Sequence, residues 1–248
     1  MIDFYYSPTP NGWKVAIMLE ECGLDYRTIL LQLHKGEQLA PEFLRINPTG
    51  QTPAIVDHDA GSEPVAVFDS TAILLYLANK TGRFAPAIGP MAAGTSHWEL
   101  LQWLFWHAAD QGPAAGQLSH FVNYAPADQE YGRRRSTKDY RRDLGVLENR
   151  LRSRNYILGD YSIADMACFP WVFIAKRLGV DLSHYPAVQA WRGDIKSRPA
   201  VQRAIDLHKD QQPVDKHKRE RQMPPPHRHA PEGQTAPGGE TTRYATGT

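Results

Sequence analysis

At 248 residues with a formal net charge of +1, the chain can bury a core in one or two domains, and its charge lends no support to a nucleic-acid or acidic-surface partner. Its two cysteines, Cys22 and Cys168, fit no metal or Cys-x-x-Cys pattern and point to a reduced compartment. No basic segment followed by an apolar core opens the chain, and no apolar run reaches the length of a membrane span; a cytoplasmic protein without a membrane partner is expected.

Phe4-Tyr5-Tyr6 is a short strand candidate, followed by a turn through Thr9, Pro10 and Asn11. A helix is expected over 12–22, with Val15, Met18, Leu19 and Cys22 on one face and Gly23 as its stop. Taken alone, the Thr-Pro-Asn turn is a helix start with Asn11 as the cap. It also gathers a hydroxyl, an amide and unpaired backbone N–H groups at one point, a setting suited to an anionic sulfur. A second strand is expected at Tyr26–Leu31, then a short helix at Pro41–Arg45 and a turn at Asn47–Gly50. Thr52–Val56 and Val65–Phe68 read as a hairpin across the turn-rich Asp57–Ser62, and Ser70–Asn79 as a helix with Ile73, Leu74 and Leu77 inward.

From Thr95 to about Leu207 the periodic segments turn helical. Trp98, Leu101, Phe105 and Ala108 trace one stripe, and Tyr140, Leu144, Leu147 and Leu151 another. Ser162 and Asp165 form a capping-box pattern ahead of an apolar helix reaching Ala175, in which Pro170 is expected to introduce a kink. Pro186 opens a further helix carrying Val188, Trp191 and Ile195. The expected division is an α/β domain at 1–83, a linker at 84–94, an all-helical domain at 95–210 and a disordered tail at 211–248. The tail's Lys216, Lys218, Arg219 and Arg221 read as a solvated basic cluster, and its histidines lack the spacing of a structural metal site.

The ordered set of strand-turn-helix, Thr52-Pro53, Asp69-Ser70 and the Ser162/Asp165 box is similar to that of cytosolic glutathione transferases, over about residues 1–207. Ser7–Lys14, Gln102–Trp106 and Asn155–Trp171 resemble more narrowly the bacterial Nu class, which includes glutathione-dependent disulfide-bond oxidoreductases. The resemblance implies an α/β thioredoxin-like N-terminal domain, an all-α C-terminal domain and a homodimer.

It also implies a glutathione site. Thr9 and Asn11 are expected at the sulfur, donating through O–H and amide N–H. Thr52-Pro53 matches the family's cis-proline position, where the Thr52 backbone pairs with the cysteinyl backbone of glutathione; from the residues alone Pro53 is equally an ordinary turn proline. Asp69-Ser70 matches the acidic-Ser motif: Ser70 is expected to cap its helix and bind the γ-glutamyl carboxylate, with Asp69 near the γ-glutamyl ammonium. The class more often carries Glu at the Asp69 position, so the reach here is one methylene shorter. Gln38 is the best match for the glycyl carboxylate, with Lys35 as a charge partner, and Arg133 or Arg134 is expected to contact glutathione or the carboxylate of a second one. Trp103 and Trp106 read as core residues, while His107 is placed to approach the cleft.

Cys22 and Cys168 are expected to be structural, so the sulfur chemistry falls to glutathione, with no metal, NAD or flavin. The expected activity is reduction of a small disulfide by glutathione thiolate. Peroxide reduction and electrophile conjugation are alternatives for the same sulfur, and a non-catalytic glutathione-binding regulator is the alternative from another functional class.

Overall fold

A computed structural model describes residues 1–86, 95–126 and 128–209 of the chain. Residues 87–94 of the expected linker, and the expected tail at 211–248, lie outside the described residues.

The N-terminal part is a four-stranded sheet in the order β2-β1-β3-β4. The central strand β1 (Ile2–Tyr6) pairs parallel with β2 (Tyr26–Leu30) and antiparallel with β3 (Ala54–Asp57), which pairs antiparallel with the edge strand β4 (Val65–Phe68). Phe4 and Tyr6 are fully buried on β1, as a central strand covered by helices requires. Between β1 and β2 runs α1 (Pro10–Cys22), closed by Gly23 in the left-handed conformation. Gly12 lets α1 start close to the sheet: a Cβ there would sit 2.3 Å from the Ser7 carbonyl oxygen and 2.8 Å from the Tyr6 ring. Two short 3₁₀ turns, Leu33–Lys35 and Glu37–Leu39, lead to α2 (Pro41–Leu44). α3 (Ser70–Thr81) completes the domain, with Ile73, Leu74 and Leu77 buried.

The second part is helical. α4 (Thr95–Trp106) passes through a wide π turn, His107–Gln111, into α5 (Gly112–Asn123). α6 (Glu130–Leu151), α7 (Ile163–Phe173), α8 (Pro186–Ser197) and α9 (Pro199–Asp206) follow. The capping box is present: Ser162 Oγ accepts from the Ala164 N–H while Asp165 accepts from the Ser162 N–H at 3.0 Å. Pro170 lies inside α7, and the helix ends at Phe173, short of the expected Ala175. Pro170 has no N–H for the helix ladder, and the chain tightens into a 3₁₀ turn at Ala175–Leu178.

The Tyr140, Leu144, Leu147 and Leu151 stripe is buried as expected. The α4 stripe is not: Leu100 and Leu104 face the core, whereas Trp98 and Phe105 are 59% and 69% exposed. α4 is apolar around most of its surface, so periodicity alone did not distinguish its two apolar faces.

One continuous core joins the two parts, because α1 packs against α3 on one side and α7 and α9 on the other. At its margin Arg198 grips Glu21 with two hydrogen bonds of 2.5 and 3.0 Å, and Arg203 pairs with Glu20 at 2.6 Å. These contacts hold the C-terminal end of α1 against the helical domain, while the cleft opens at the other end of the helix, beside Thr9 and Asn11.

Candidate functional site

A cleft of about 900 Å³ runs between the first domain and the α4–α5 segment. Thr9, Asn11, Gln38, Thr52, Asp69 and Ser70, from four separate places in the sequence, all line it.

At the start of α1 the cap is Thr9, not Asn11: Thr9 Oγ1 accepts from the Gly12 N–H at 3.2 Å, and Pro10 fills the first helical position. Asn11 is thereby released from capping. Its Oδ1 accepts from the indole N–H of Trp171, on α7, at 3.2 Å. Because an indole nitrogen only donates, this contact fixes which end of the amide is oxygen. Both side chains have spent an acceptor, and each keeps a donor: the Thr9 hydroxyl proton and the Asn11 NH₂. Beside them lies the N-terminus of α1, whose partial positive charge favours an anion.

The Thr52-Pro53 bond is cis, as the resemblance implied. Asn47 braces the preceding turn, its Oδ1 accepting from the Thr49 N–H at 3.0 Å and its Nδ2 donating to the Gln51 carbonyl at 2.6 Å. That support places Thr52 at the cleft wall, and Asn47 was not singled out from the sequence.

At the start of α3 the capping roles again differ from expectation. Asp69 is the cap, its Oδ1 accepting from the N–H groups of Thr71 and Ala72 at 2.9 and 3.0 Å. Its φ of 68° is uncommon for a residue with a side chain, and such conformations concentrate at functional sites. Ser70 is the first helical residue, so its hydroxyl is free of the capping duty assigned to it from the motif. Gln38 is buried, and its Oε1 has no hydrogen-bond partner among the described residues. An unspent polar group in a cleft wall is a place where a polar ligand can be satisfied.

Behind Ser70 lies a feature that the sequence reading did not identify. Lys14, on α1, is 2% exposed and donates to Ser70 Oγ at 3.1 Å; its Nζ is also 2.6 Å from His107 Nε2. His107 Nδ1 is 2.5 Å from Gln111 Oε1, and Gln111 Nε2 donates to the Cys168 carbonyl at 3.2 Å. Burial lowers the Lys14 pKa to about 8, against the opposing pull of Asp69. Burial and the neighbouring Lys14 charge push His107 well below the usual histidine range. The available signal was Lys14 as the single charge within the otherwise apolar run Trp13–Leu19.

Other expected residues are placed elsewhere. Lys35 is exposed at the end of its 3₁₀ turn and does not line the cleft. Arg133 and Arg134 line a separate groove with Lys138, Arg141, Lys176 and Arg177. Arg177 and Leu178 also border a smaller cavity of about 240 Å³ with a mixed polar and apolar lining, which shares Thr9 and Pro10 with the main cleft. That cavity lies against the proposed sulfur position. Cys168 is fully buried and its thiol pKa is raised by burial; Cys22 is half-buried, with its Sγ donating to Met18 Sδ and Thr81 Oγ1. Neither lines the cleft. Among the described residues there is no group of three or more His, Cys, Asp or Glu side chains suited to a metal, and no helix is long and apolar enough to cross a membrane.

The family model for the glutathione S-transferase N-terminal domain matches residues 9–80, and that for the C-terminal domain matches 118–199. The disulfide-bond oxidoreductase YfcG of Escherichia coli is 48% identical over 83% of this chain and 94% of that protein. The chain belongs to the glutathione S-transferase family. Within it the chain is closely related to the disulfide-bond oxidoreductases, as the Nu-class resemblance implied: YghU of E. coli is 36% identical over 89% of this chain and 79% of its own length. A crystal structure of a glutathione transferase from Burkholderia graminis, with two glutathione molecules bound per subunit, superposes with a TM-score of 0.78 at 42% identity, covering 84% of this chain and 88% of that one. A transferase from Pseudomonas putida, with one glutathione disulfide bound per subunit, gives 0.77 at 35% identity, covering 84% and 91%. The thioredoxin-like and all-α domains of the transferase fold are both present.

Proposed function

We propose that the chain is a cytoplasmic glutathione-dependent disulfide reductase whose nucleophile is the thiolate of bound glutathione. One observation carries this reading: at the start of α1, Thr9 Oγ1 and Asn11 Oδ1 are both occupied as acceptors, leaving two donors beside a helix N-terminus. Two donors and a helix dipole favour a thiolate over a thiol.

Glutathione extends from that point along the cleft. Its cysteinyl backbone pairs with Thr52 beside Pro53, its γ-glutamyl end meets Ser70 and the remaining carboxylate oxygen of Asp69, and its glycyl carboxylate meets the Gln38 amide. The held thiolate attacks one sulfur of a disulfide, forming a mixed disulfide and releasing a thiolate that takes up a proton. A second glutathione thiolate then attacks the mixed disulfide, yielding glutathione disulfide and the second thiol. Two glutathiones supply the two electrons.

The smaller cavity beside Thr9 receives the body of the second substrate. The same thiolate serves hydroperoxide reduction and electrophile conjugation, which we treat as secondary activities. We further propose a homodimer, supported by exposed Trp98 and Phe105 on α4 and exposed Val65 and Phe68 on the edge strand β4.

The test is a comparison of turnover on hydroxyethyl disulfide, cumene hydroperoxide and chlorodinitrobenzene with glutathione. Disulfide turnover is expected to dominate. Tight glutathione binding with no turnover on any of the three would favour the regulatory alternative.

A further inference from the structure

Lys14 is a buried cation with no carboxylate in hydrogen-bond contact. Its hydrogen-bond partners are a hydroxyl, Ser70 Oγ, and an imidazole nitrogen, His107 Nε2. The network has one consistent proton assignment. The Gln111 NH₂ donates to the Cys168 carbonyl, so Gln111 Oε1 faces His107 and accepts from Nδ1–H. His107 is then neutral, and its Nε2 lone pair accepts from Lys14. Ser70 Oγ also accepts from Lys14, so the Ser70 hydroxyl keeps its own proton to donate. Gly112 makes room for the imidazole: a Cβ there would lie 3.0 Å from the His107 carbonyl oxygen and 3.4 Å from its ring.

A buried ammonium held only by neutral groups is costly unless an anion completes the site. The Ser70 hydroxyl at the start of α3 lines the cleft and bears directly on Lys14. An anion seated there, hydrogen-bonded to Ser70, becomes the missing counter-ion. We propose that Lys14 is a positioning residue for the γ-glutamyl carboxylate of glutathione, placing a buried positive charge behind Ser70 and held there from the helical domain by His107 and Gln111. This rests on the glutathione reading above and adds to it a charge contributed from α1 and oriented across the domain interface.

A pH signature follows. The charged or titratable groups facing Lys14 are Asp69 before α3, Cys168 on α7 and His107 in the π turn. His107 stays neutral and Cys168 stays protonated across the neutral and mildly alkaline range. In the free protein Lys14 loses its proton near pH 8; a bound carboxylate raises that pKa. Affinity is therefore complete below pH 8 and falls as the pH rises above it, with proton uptake on binding.

The experiment is calorimetric titration of the full chain with S-methylglutathione, which has no thiol to titrate, from below to above pH 8. The proteins are wild type, Lys14→Met, Lys14→Gln and Ser70→Ala. Hydrogen bonds to charged groups set the expected scale: Lys14→Met and Lys14→Gln lose about tenfold to a hundredfold in affinity at neutral pH. Both also lose the extra alkaline decline of the wild type, while melting temperature is kept or raised by removal of the buried charge. A purely structural lysine gives the reverse: lower melting temperature with unchanged affinity and unchanged pH slope. If Lys14→Met is poorly folded, Lys14→Gln keeps hydrogen bonding without the charge and decides the matter. Wild-type affinity and pH slope in Lys14→Gln overturn the proposal alone; absence of binding by the wild type overturns the glutathione reading together with it.

Discussion

Trp171 donates its indole N–H to Asn11 Oδ1 at 3.2 Å, so a residue of the helical domain determines which end of the Asn11 amide can serve the cleft. The sulfur end of the site is thus built by both domains. Trp171→Phe removes the donor while keeping an aromatic ring. It is expected to lower kcat/KM on hydroxyethyl disulfide by about three- to tenfold, the scale of one neutral hydrogen bond, and by less than Asn11→Ala does. Steady-state kinetics of the two variants checks the order.

Thr9 has two duties, and substitutions can separate them. Thr9→Ser keeps cap and donor and is expected to stay near wild type. Thr9→Val loses both, at a cost of about 1 kcal/mol in stability from the cap. Thr9→Asp keeps the cap but places a negative charge beside the sulfur. It should retain the melting temperature, yet raise the pKa of bound glutathione and depress turnover more than Thr9→Val. Thermal melts run beside the ultraviolet thiolate signal of the bound thiol test the separation.

Asp165 is fully buried and accepts from the Ile157 and Ser162 N–H groups, the Ser162 hydroxyl and the Trp191 indole. Burial outweighs these donors and raises its pKa to about 6. The folded state therefore holds this proton more tightly than the unfolded state, and the contribution of Asp165 to stability falls as pH rises from about 4 to about 6. Asp3, Asp57 and Glu99 have lowered pKa values and act in the opposite sense, losing their contribution as pH falls. Asp165→Asn removes one term only. Denaturant titrations should show the stability gap between wild type and this variant narrowing from pH 4 to pH 6; a widening gap contradicts the sign.

The exposed α4 stripe carries the dimer proposal. Phe105→Glu, at a position 69% exposed in the single chain, should shift light-scattering mass from twice that of the chain to that of the chain, without unfolding it. A wild type that is already monomeric removes the role assigned to Trp98 and Phe105.

Much of this architecture was legible in the sequence because local signals agreed with one another. The Ser162/Asp165 box, the Tyr140–Leu151 stripe and Gly23 each name a structure that short-range chemistry enforces. The cleft residues were legible as an ordered set, and Thr9, Asn11, Gln38, Thr52, Asp69 and Ser70 do meet. What was misassigned turned on choices between neighbours. Thr9 and Asn11 are both good caps, as are Asp69 and Ser70, and which member caps depends on backbone geometry at the loop. Lys14 escaped notice because a lysine on a helix is ordinarily solvated, and its burial arises only when α3, α7 and the π turn close around it. The arginine assignment failed to converge on the cleft because successive side chains on a helix point about 100° apart, so a run of adjacent arginines faces more than one groove.

The central claim is that Thr9 and Asn11 activate the sulfur of glutathione. Its most direct measurement is the thiol pKa of bound glutathione, read from ultraviolet thiolate absorbance, in wild type and in Thr9→Ala/Asn11→Ala, alongside hydroxyethyl disulfide turnover. The wild type is expected to hold the thiol below its ordinary value of about 8.5. The double variant should return it toward that value and lose turnover by at least about a hundredfold, the lower end of the scale for two hydrogen bonds to a charged group. An unchanged pKa and intact turnover in the double variant would contradict the account.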